Sequence, residues 1–367
     1  MSPRIRLAVL FGGRSTEHQI SCVSAGSVLA ALDRDRYDVV AIGITPDGRW
    51  VVAPDDPKAL TARGSVLPSV DEAGAAVALP GDPSAGGLVL LRPGDVPTAL
   101  TAVDVVFPLL HGAYGEDGTV QGLLELAGVP YVGSGVLASA VSMDKEYMKL
   151  LLAARGLPVG PYVVVRDADW RDDPDNAMDA ADALGYPLFV KPARGGSSIG
   201  ISKVVDRSGL AAAIDAARAC DPKVIVELGL IGREIECAVL DGAGGGPPEA
   251  SLPAEIHVGA GHDFYDFDAK YLAEATTFDI PAALDDKVLD DVRRIAVETF
   301  VALGCAGLAR VDFFLTAAGL IVNEINTMPG FTPTSMYPRM WAATGIDYRS
   351  LVDRLVQSAL DRGTGLR

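Results

Sequence analysis

Apolar residues arrive in short blocks, and their order predicts the architecture. RLAVLFGG is an apolar run closed by glycines; a Ser/Thr/Glu stretch follows, then SCVSAGSVLAAL with helical spacing, then the apolar run YDVVAIGIT. Strand, helix, strand in that order predicts a β–α–β unit, the start of a parallel doubly wound sheet. VDVVFPLLHG predicts another strand running into the polar loop HGAYGEDG. Helices across TVQGLLELAG and ASAVSMDKEYMKLLLAARG follow. Residues 53–100 are rich in Pro, Gly, Asp and Ala, carry short strand candidates such as GLVLLR, and read as variable surface structure.

The pattern then changes. PYVVV, a helix over about 175–184, the glycine-interrupted pair FVKPARGGSSIGISKV, the helix SGLAAAIDAARA and KVIVELGL predict a small α+β module. REIECAVLDG, a long loop around HDFYDFDAKYLAEATTF, a helix over about 285–303, ARVDFFL and GLIVNEIN form a third group, closed by a helix over about 348–362. The expected division is 1–138, 139–232 and 233–367, a chain of α/β followed by α+β class. No internal repeat is visible.

Composition narrows the function classes. With 367 residues and 49% hydrophobic content the chain can fill several cores. A net charge of −17 argues against a general nucleic-acid surface. No apolar run reaches bilayer length, and the N-terminal run meets Gly-Gly-Arg, so no membrane span or signal peptide is expected and the setting is cytoplasmic. Cys22, Cys220, Cys237 and Cys305 are scattered without a C-x-x-C, which fits buried small apolar residues better than disulfides or zinc.

Two stretches carry chemistry. PARGGSS sits between apolar strands with lysines at both ends, and flexible glycines cost entropy on ordering. A tolerated surface hairpin and a loop folding over phosphates both fit these residues alone. LARVDFFLTAAGLIVNEINTMPG, 308–330, is more informative. A three-residue loop Ala317-Ala318-Gly319, with glycine at the positive-φ position, would set Asp312 opposite Glu324 and Arg310 opposite Asn326. All four then project from one face. Facing carboxylates repel, so either Arg310 or a divalent cation must compensate. The all-oxygen set and the polar NTMPGFTPTSM loop favour Mg²⁺ completed by water and phosphates. That in turn favours a nucleotide, and the phosphate-covering reading of PARGGSS. No G-x-x-x-x-G-K-[ST] is present, and LFGGRS lacks the G-x-G-x-x-G of a dinucleotide fold.

Over nearly its whole length the chain resembles the ATP-grasp enzymes, and within them closely resembles the D-alanine–D-alanine ligases. The motifs are LFGGRSTEHQIS, PLLHGAYGEDG, GSGVLASAVSMDK, FVKPARGGSSIGISKV, FYDFDAKY and ARVDFFL…NEINTMPGFTPTSM; residues 53–100 carry none. The resemblance implies an N-terminal Rossmann-like parallel-sheet domain followed by a two-part ATP-grasp fold. It implies an ADP-forming carbon–nitrogen ligase that phosphorylates one D-alanine and joins it to a second, for peptidoglycan precursors. It implies ATP, two Mg²⁺ ions with Mn²⁺ as a substitute, a monovalent cation as an open question, and a homodimer formed through N-terminal domain surfaces.

Site roles follow from the matched motifs. Lys145 and Lys191 would meet ATP phosphates, with Ser197 and Ser198 in the covering loop. Glu227, Leu228 and Leu230 would hold the adenine edge through backbone groups, and Glu234 the ribose. Asp312, Glu324 and Asn326 match the metal ligands. Glu17 would bind the first D-alanine's ammonium, with Ser197 and Tyr271 hydrogen-bonding to it and His111 near that substrate's carboxylate. Lys270 would face the γ-phosphate. Arg310 and the Gly330 N–H would form an oxyanion hole, and Ser335 with the Met336 backbone would hold the second carboxylate. Each has a plainer reading: a solvated helix lysine for Lys145, a surface glutamate for Glu234, a helix-dipole partner for Glu17, a structural histidine for His111. Lys270-Tyr271 favours D-alanine in the second site over D-lactate, and Gly195 stands where many relatives carry an acidic residue. The competing readings are a D-Ala–D-Lac or other carboxylate–amine ligase, a non-catalytic nucleotide-binding regulator, and a dinucleotide-dependent oxidoreductase. The last offers no use for the carboxylate hairpin.

Overall fold

The computed structural model describes residues 3–62, 64, 66–196, 199–257 and 277–365. The first sheet orders its strands Trp50–Val52, Tyr37–Ile44, Ile5–Gly12 and Val105–Pro108, the last three parallel. The strand Ile5–Gly12 is buried on both faces. Leu7, Val9 and Phe11 pack against the helix His18–Ala31 and against the helices Met336–Thr344 and Tyr348–Arg362. Ala8 and Leu10 face a second cluster with Leu79, Leu88 and Leu124. Residues 53–100 are therefore more than surface structure: the three-stranded sheet Val77–Ala78, Gly87–Leu90, Thr98–Ala102 covers that second face. Its strands are too short and too broken by Gly and Pro to stand out in the sequence.

Two antiparallel sheets follow. One orders Ser202–Val204, Leu188–Pro192, Lys223–Leu228 and Tyr162–Arg166; helices Pro174–Asp182 and Leu210–Arg218 help fill its core. The other runs Thr277–Asp279, Ala254–His257, Gly232–Leu240, Leu308–Thr316 and Gly319–Asn326, with Glu249–Ala250 added to Gly232–Leu240. The helix Asp286–Ala302 covers one face of it, burying Val292, Ile295, Ala296 and Phe300.

Two expectations change. ASAVSMDKEYMKLLLAARG is two helices, Val136–Met143 and Lys145–Ala154, broken at Asp144, whose φ −91°, ψ 103° is extended. Asp144 caps the second helix by accepting from the Glu146 and Tyr147 N–H groups. Of the four cysteines, Cys22 and Cys237 are buried as expected, whereas Cys220 is exposed. Among the described residues no helix is long and apolar enough to cross a membrane.

Candidate active site

The hairpin Leu308–Thr316/Gly319–Asn326 pairs Arg310 with Asn326 and Asp312 with Glu324. The loop, however, is two residues, Ala317-Ala318, since Thr316 pairs with Gly319. A bulge between Asp312 and Phe313 takes up the one-residue difference at Asn323. Gly319, at φ 121°, sits just after the tighter turn. The sequence-derived register thus holds at the site and fails near the turn, because the period of an ideal hairpin contains no bulge.

Arg310 grips Asp312 with both arms of its guanidinium, Nε to Oδ1 and Nη2 to Oδ2, each 2.7 Å. It also reaches Glu236 at 3.3 Å. Asn326 Nδ2 donates to Asp312 at 3.0 Å. Glu324 has Lys145 at 3.9 Å. Arginine therefore answers the Asp312 charge directly, while Glu324 faces a longer contact. Two carboxylates and an amide oxygen on one wall, partly exposed to a cavity, fit a hard divalent cation. Glu255, His257 and Asp279 also come together, but Ile256 between the first two lines the cavity, so that trio faces the other way. Arg233 already forks Glu255 at 2.7 and 2.6 Å. The hairpin is the better candidate metal centre.

The cavity, about 470 Å³, lies between the two antiparallel sheets and reaches the first unit. Down the strand from Arg310 through Asp312 to Phe314 its wall turns from charged to apolar, and Phe189, Leu230 and Ile321 extend the apolar part. Lys145, Lys191, Glu227, Leu228 and Glu234 line it too. Lys145 is placed by the Asp144 cap and by its own N–H, which donates to Ala193 O at 3.0 Å; its Nζ donates to Gly195 O at 2.8 Å. The glycine loop is thereby tied to a candidate phosphate lysine.

Glu227 was expected to act through its backbone. Its side chain is also engaged, with Lys191 at 2.5 Å and Lys149 at 2.7 Å. Burial pushes the Glu227 carboxyl up, but the two ammonium groups outweigh it and hold it far below the usual carboxylate range. Burial likewise pushes Lys191 down, and Glu227 outweighs that too, leaving it raised.

Glu17 and His111 line the cavity from the first unit. Glu17 stands at the N-terminus of the helix His18–Ala31, so both readings of it fit. A Cβ on Gly196 would lie 3.3 Å from Glu17 Oε2, which brings the glycine loop against this carboxylate. His111 Nδ1 donates to Met328 O at 2.9 Å, and its Nε2 has Ser24 Oγ at 3.4 Å. Gly330 lines the cavity, while Ser335 stands behind it, since a Cβ on Gly330 would be 3.2 Å from Ser335 Oγ, and Met336 is buried in the core shared with the first sheet. Ser335 Oγ instead accepts from the Thr332 N–H at 3.1 Å. Ser197, Ser198, Lys270 and Tyr271 lie outside the described residues.

Glu116 and Lys149 were missed. Glu116 accepts from Gly112 N at 3.0 Å, Met328 N at 2.8 Å and Thr327 Oγ1 at 3.3 Å, stitching HGAYGEDG to the segment leading to Gly330. Burial pushes its carboxyl up, against the pull of His111. Its place in a polar loop gave no sign of these contacts. Lys149 is one helical turn from Lys145, a spacing that puts both on one helix face.

Comparison with known proteins agrees with this geometry. The family described as "D-ala D-ala ligase N-terminus" matches residues 6–134, and "D-ala D-ala ligase C-terminus" matches 151–357. D-alanine–D-alanine ligases of Rhodococcus jostii and Rhodococcus erythropolis are 59% and 60% identical, over 100% of this chain and 99% and 100% of theirs. Among solved structures, a D-Ala:D-Ser ligase from Enterococcus faecalis aligns with TM-score 0.84 and 35% identity over 97% of this chain and 100% of its own. A D-alanine-D-alanine ligase from Coxiella burnetii gives 0.81 and 35% over 98% and 94%. An ATP-grasp pair of sheets, the paired carboxylate hairpin and full-length identity near 60% leave one conclusion: the chain belongs to the D-alanine–D-alanine ligase family.

Proposed function

We infer that the chain joins two D-alanines to D-alanyl-D-alanine at the expense of ATP, for peptidoglycan precursors, using a divalent metal. One observation carries the residue-level reading. A single cavity holds Lys145 and Lys191, the Arg310/Asp312/Glu324/Asn326 face, and Glu17 beside the glycine loop.

The chemistry needs each part. A carboxylate is a poor acyl donor, so a carboxylate oxygen of the first D-alanine attacks the γ-phosphorus and ADP leaves. The second amine then attacks the acyl carbon of the D-alanyl phosphate, loses a proton, and phosphate leaves from the tetrahedral intermediate. Glu17 holds the first ammonium and His111 stands by the first carboxylate. Lys145 and Lys191 bind phosphates, a role that the matched motifs extend to Ser197, Ser198 and Lys270, and Glu234 takes the ribose. The hinge Glu227, Leu228 and Leu230 presents backbone groups to adenine, and the apolar wall of Phe189, Phe314 and Ile321 supports the ring. Arg310 and the Gly330 N–H receive the negative charge that develops on the acyl oxygen, and Ser335 with the Met336 backbone holds the second carboxylate. The glycine loop, tied to Lys145 and lying against Glu17, excludes water that would hydrolyse the acyl phosphate.

Asp312, Glu324 and Asn326 would hold Mg²⁺, two ions with Mn²⁺ as a substitute, to draw charge from the β- and γ-phosphates. A monovalent-cation requirement is a matter for assay. The division 1–138, 139–232 and 233–367 follows the three larger sheets, and Leu126 and Leu137, exposed on the first unit's helices, support pairing of two chains there. Use of ATP supports a cytoplasmic setting.

The test is phosphate release from ATP and Mg²⁺ with and without D-alanine, and the mass of the product. Release that depends on D-alanine, with a D-alanyl-D-alanine mass, is expected; ATP binding without that product would overturn the reading. The D-Ala:D-Ser neighbour makes D-serine the competitor to include, alongside D-lactate. Tyr271→Phe should raise use of D-lactate relative to D-alanine, and an unchanged ratio would remove Tyr271 from second-site selection.

A further inference from the structure

Lys149 has no role in the reading above, yet it lines the catalytic cavity with a side chain only 3% exposed. Its ammonium touches Glu227 at 2.7 Å and lies 5.8 Å from the centre of the Tyr162 ring. Glu227 is shared: Lys191 holds its other oxygen at 2.5 Å. Three elements therefore meet at one carboxylate, the helix Lys145–Ala154, the strand Leu188–Pro192 and the strand Lys223–Leu228.

We propose that Lys149 is a positioning residue for nucleotide binding: it keeps Glu227 neutralised when Lys191 turns to the phosphates. Without ATP, two cations share one buried carboxylate. When phosphate oxygens draw Lys191 away, a lone Glu227 would be left charged, buried and close to a polyanion. A buried charge that loses its partner is among the costlier defects in a protein. Lys149 prevents this by staying with Glu227, so Lys191 is released without stranding the carboxylate. Charged and titratable groups about this cluster include Tyr162 beside Lys149, Glu146 near Tyr162 and paired with Arg166 and Lys223, Glu234 and Glu324 around Lys191, and Lys145, which is directed to Gly195 O and Glu324. The glutamates add negative charge, Tyr162 is neutral near pH 7, and Lys145 is engaged with Gly195 O and Glu324, so none substitutes for Lys149.

The proposal rests on Lys191 as a phosphate ligand, and five variants separate the two ideas. Lys149→Met should raise KM for ATP by about 10- to 100-fold, with a smaller change in kcat. Its KM should fall again as pH is lowered and Glu227 takes up a proton, while the wild-type KM stays level over the same range. Lys149→Arg should restore most of the affinity. In Lys149→Met/Glu227→Gln the stranded charge is gone, so ATP affinity should recover towards that of Glu227→Gln alone. A purely structural Lys149 would give additive losses and no pH dependence of KM, and either result overturns the proposal. If Lys191→Met leaves KM and kcat unaltered, it is the phosphate role of Lys191 that fails. ATP affinity measured by calorimetry, with circular dichroism of each variant, keeps misfolding from passing for lost binding.

Discussion

Glu116→Ala is the sharpest test of how the site is held together. The carboxylate accepts from two buried backbone N–H groups, Gly112 at 3.0 Å and Met328 at 2.8 Å, and from the Thr327 hydroxyl at 3.3 Å. Alanine leaves both backbone donors without that acceptor, at about 1–3 kcal/mol each. Part of this is offset, because burial already disfavours the ionised carboxylate. A net loss of about 2–4 kcal/mol follows. The sign with pH is fixed too. A carboxyl raised above its ordinary 4.5 contributes most below that value, and the contribution shrinks as pH rises through the raised folded value. The gap between wild type and variant should therefore be wider at pH 5 than at pH 8. Denaturant unfolding gives the difference, and amide exchange at Met328 reports the local release. Turnover should fall as well, since the Gly330 N–H is carried two residues beyond Met328. A loss under about 1 kcal/mol with unaltered exchange at Met328 would refute the stitching role.

Glu324→Gln should cut turnover at saturating Mg²⁺ by about a hundredfold or more while the circular dichroism stays native, and near-normal activity would remove it from the metal site. Gly12→Ala should be among the most damaging single changes: at φ 86° an added Cβ would sit 2.3 Å from Ile44 O, a cost above about 3 kcal/mol visible as failed soluble expression or a collapsed melting temperature. Asp221 accepts from Arg194 N and Nε and from Lys223 N; burial raises its carboxyl, but Arg194 and these N–H donors outweigh it and hold it below 3.8. Asp221→Asn should cost about 1–2 kcal/mol at pH 7, discounted for the half-exposed arginine. That deficit should close as pH falls through the depressed folded value, and one that persists at the acid end would contradict the assignment.

The local signals in the sequence were strong where the period was regular. The first β–α–β, the pairing of Asp312 with Glu324 and the helix Asp286–Ala302 follow from spacing alone. The site roles came from motif resemblance, and the cavity gathers most of those that are described. What escaped was non-local or irregular. A bulge has no periodic signature, so the turn was misplaced by one residue. Asp144 breaks a helix that the apolar pattern runs straight through, because capping chemistry overrides periodicity there. Glu116 is half-buried and Lys149 buried, each against partners far along the chain, and no window of sequence shows that. The same holds for residues 53–100, whose short strands matter only through the sheet face they cover.

The helix Tyr348–Arg362 places Leu351, Val352, Leu355 and Val356 in the core of the first sheet, beside Leu7, Val9 and Phe107. Asp353 bonds Tyr37 Oη at 2.5 Å, and Arg362 reaches the carbonyls of Tyr131 and Gly133. During synthesis the earliest strands therefore wait, with one face covered only in part by the helix His18–Ala31, until some three hundred further residues have left the ribosome. Nascent chains should need shielding over that interval, and chains released before residue 348 should be recognised as unfinished even though every catalytic motif has been made. In the folded chain the same helix fastens the first sheet to the end of the chain, so the opening strands and the closing helix share one core.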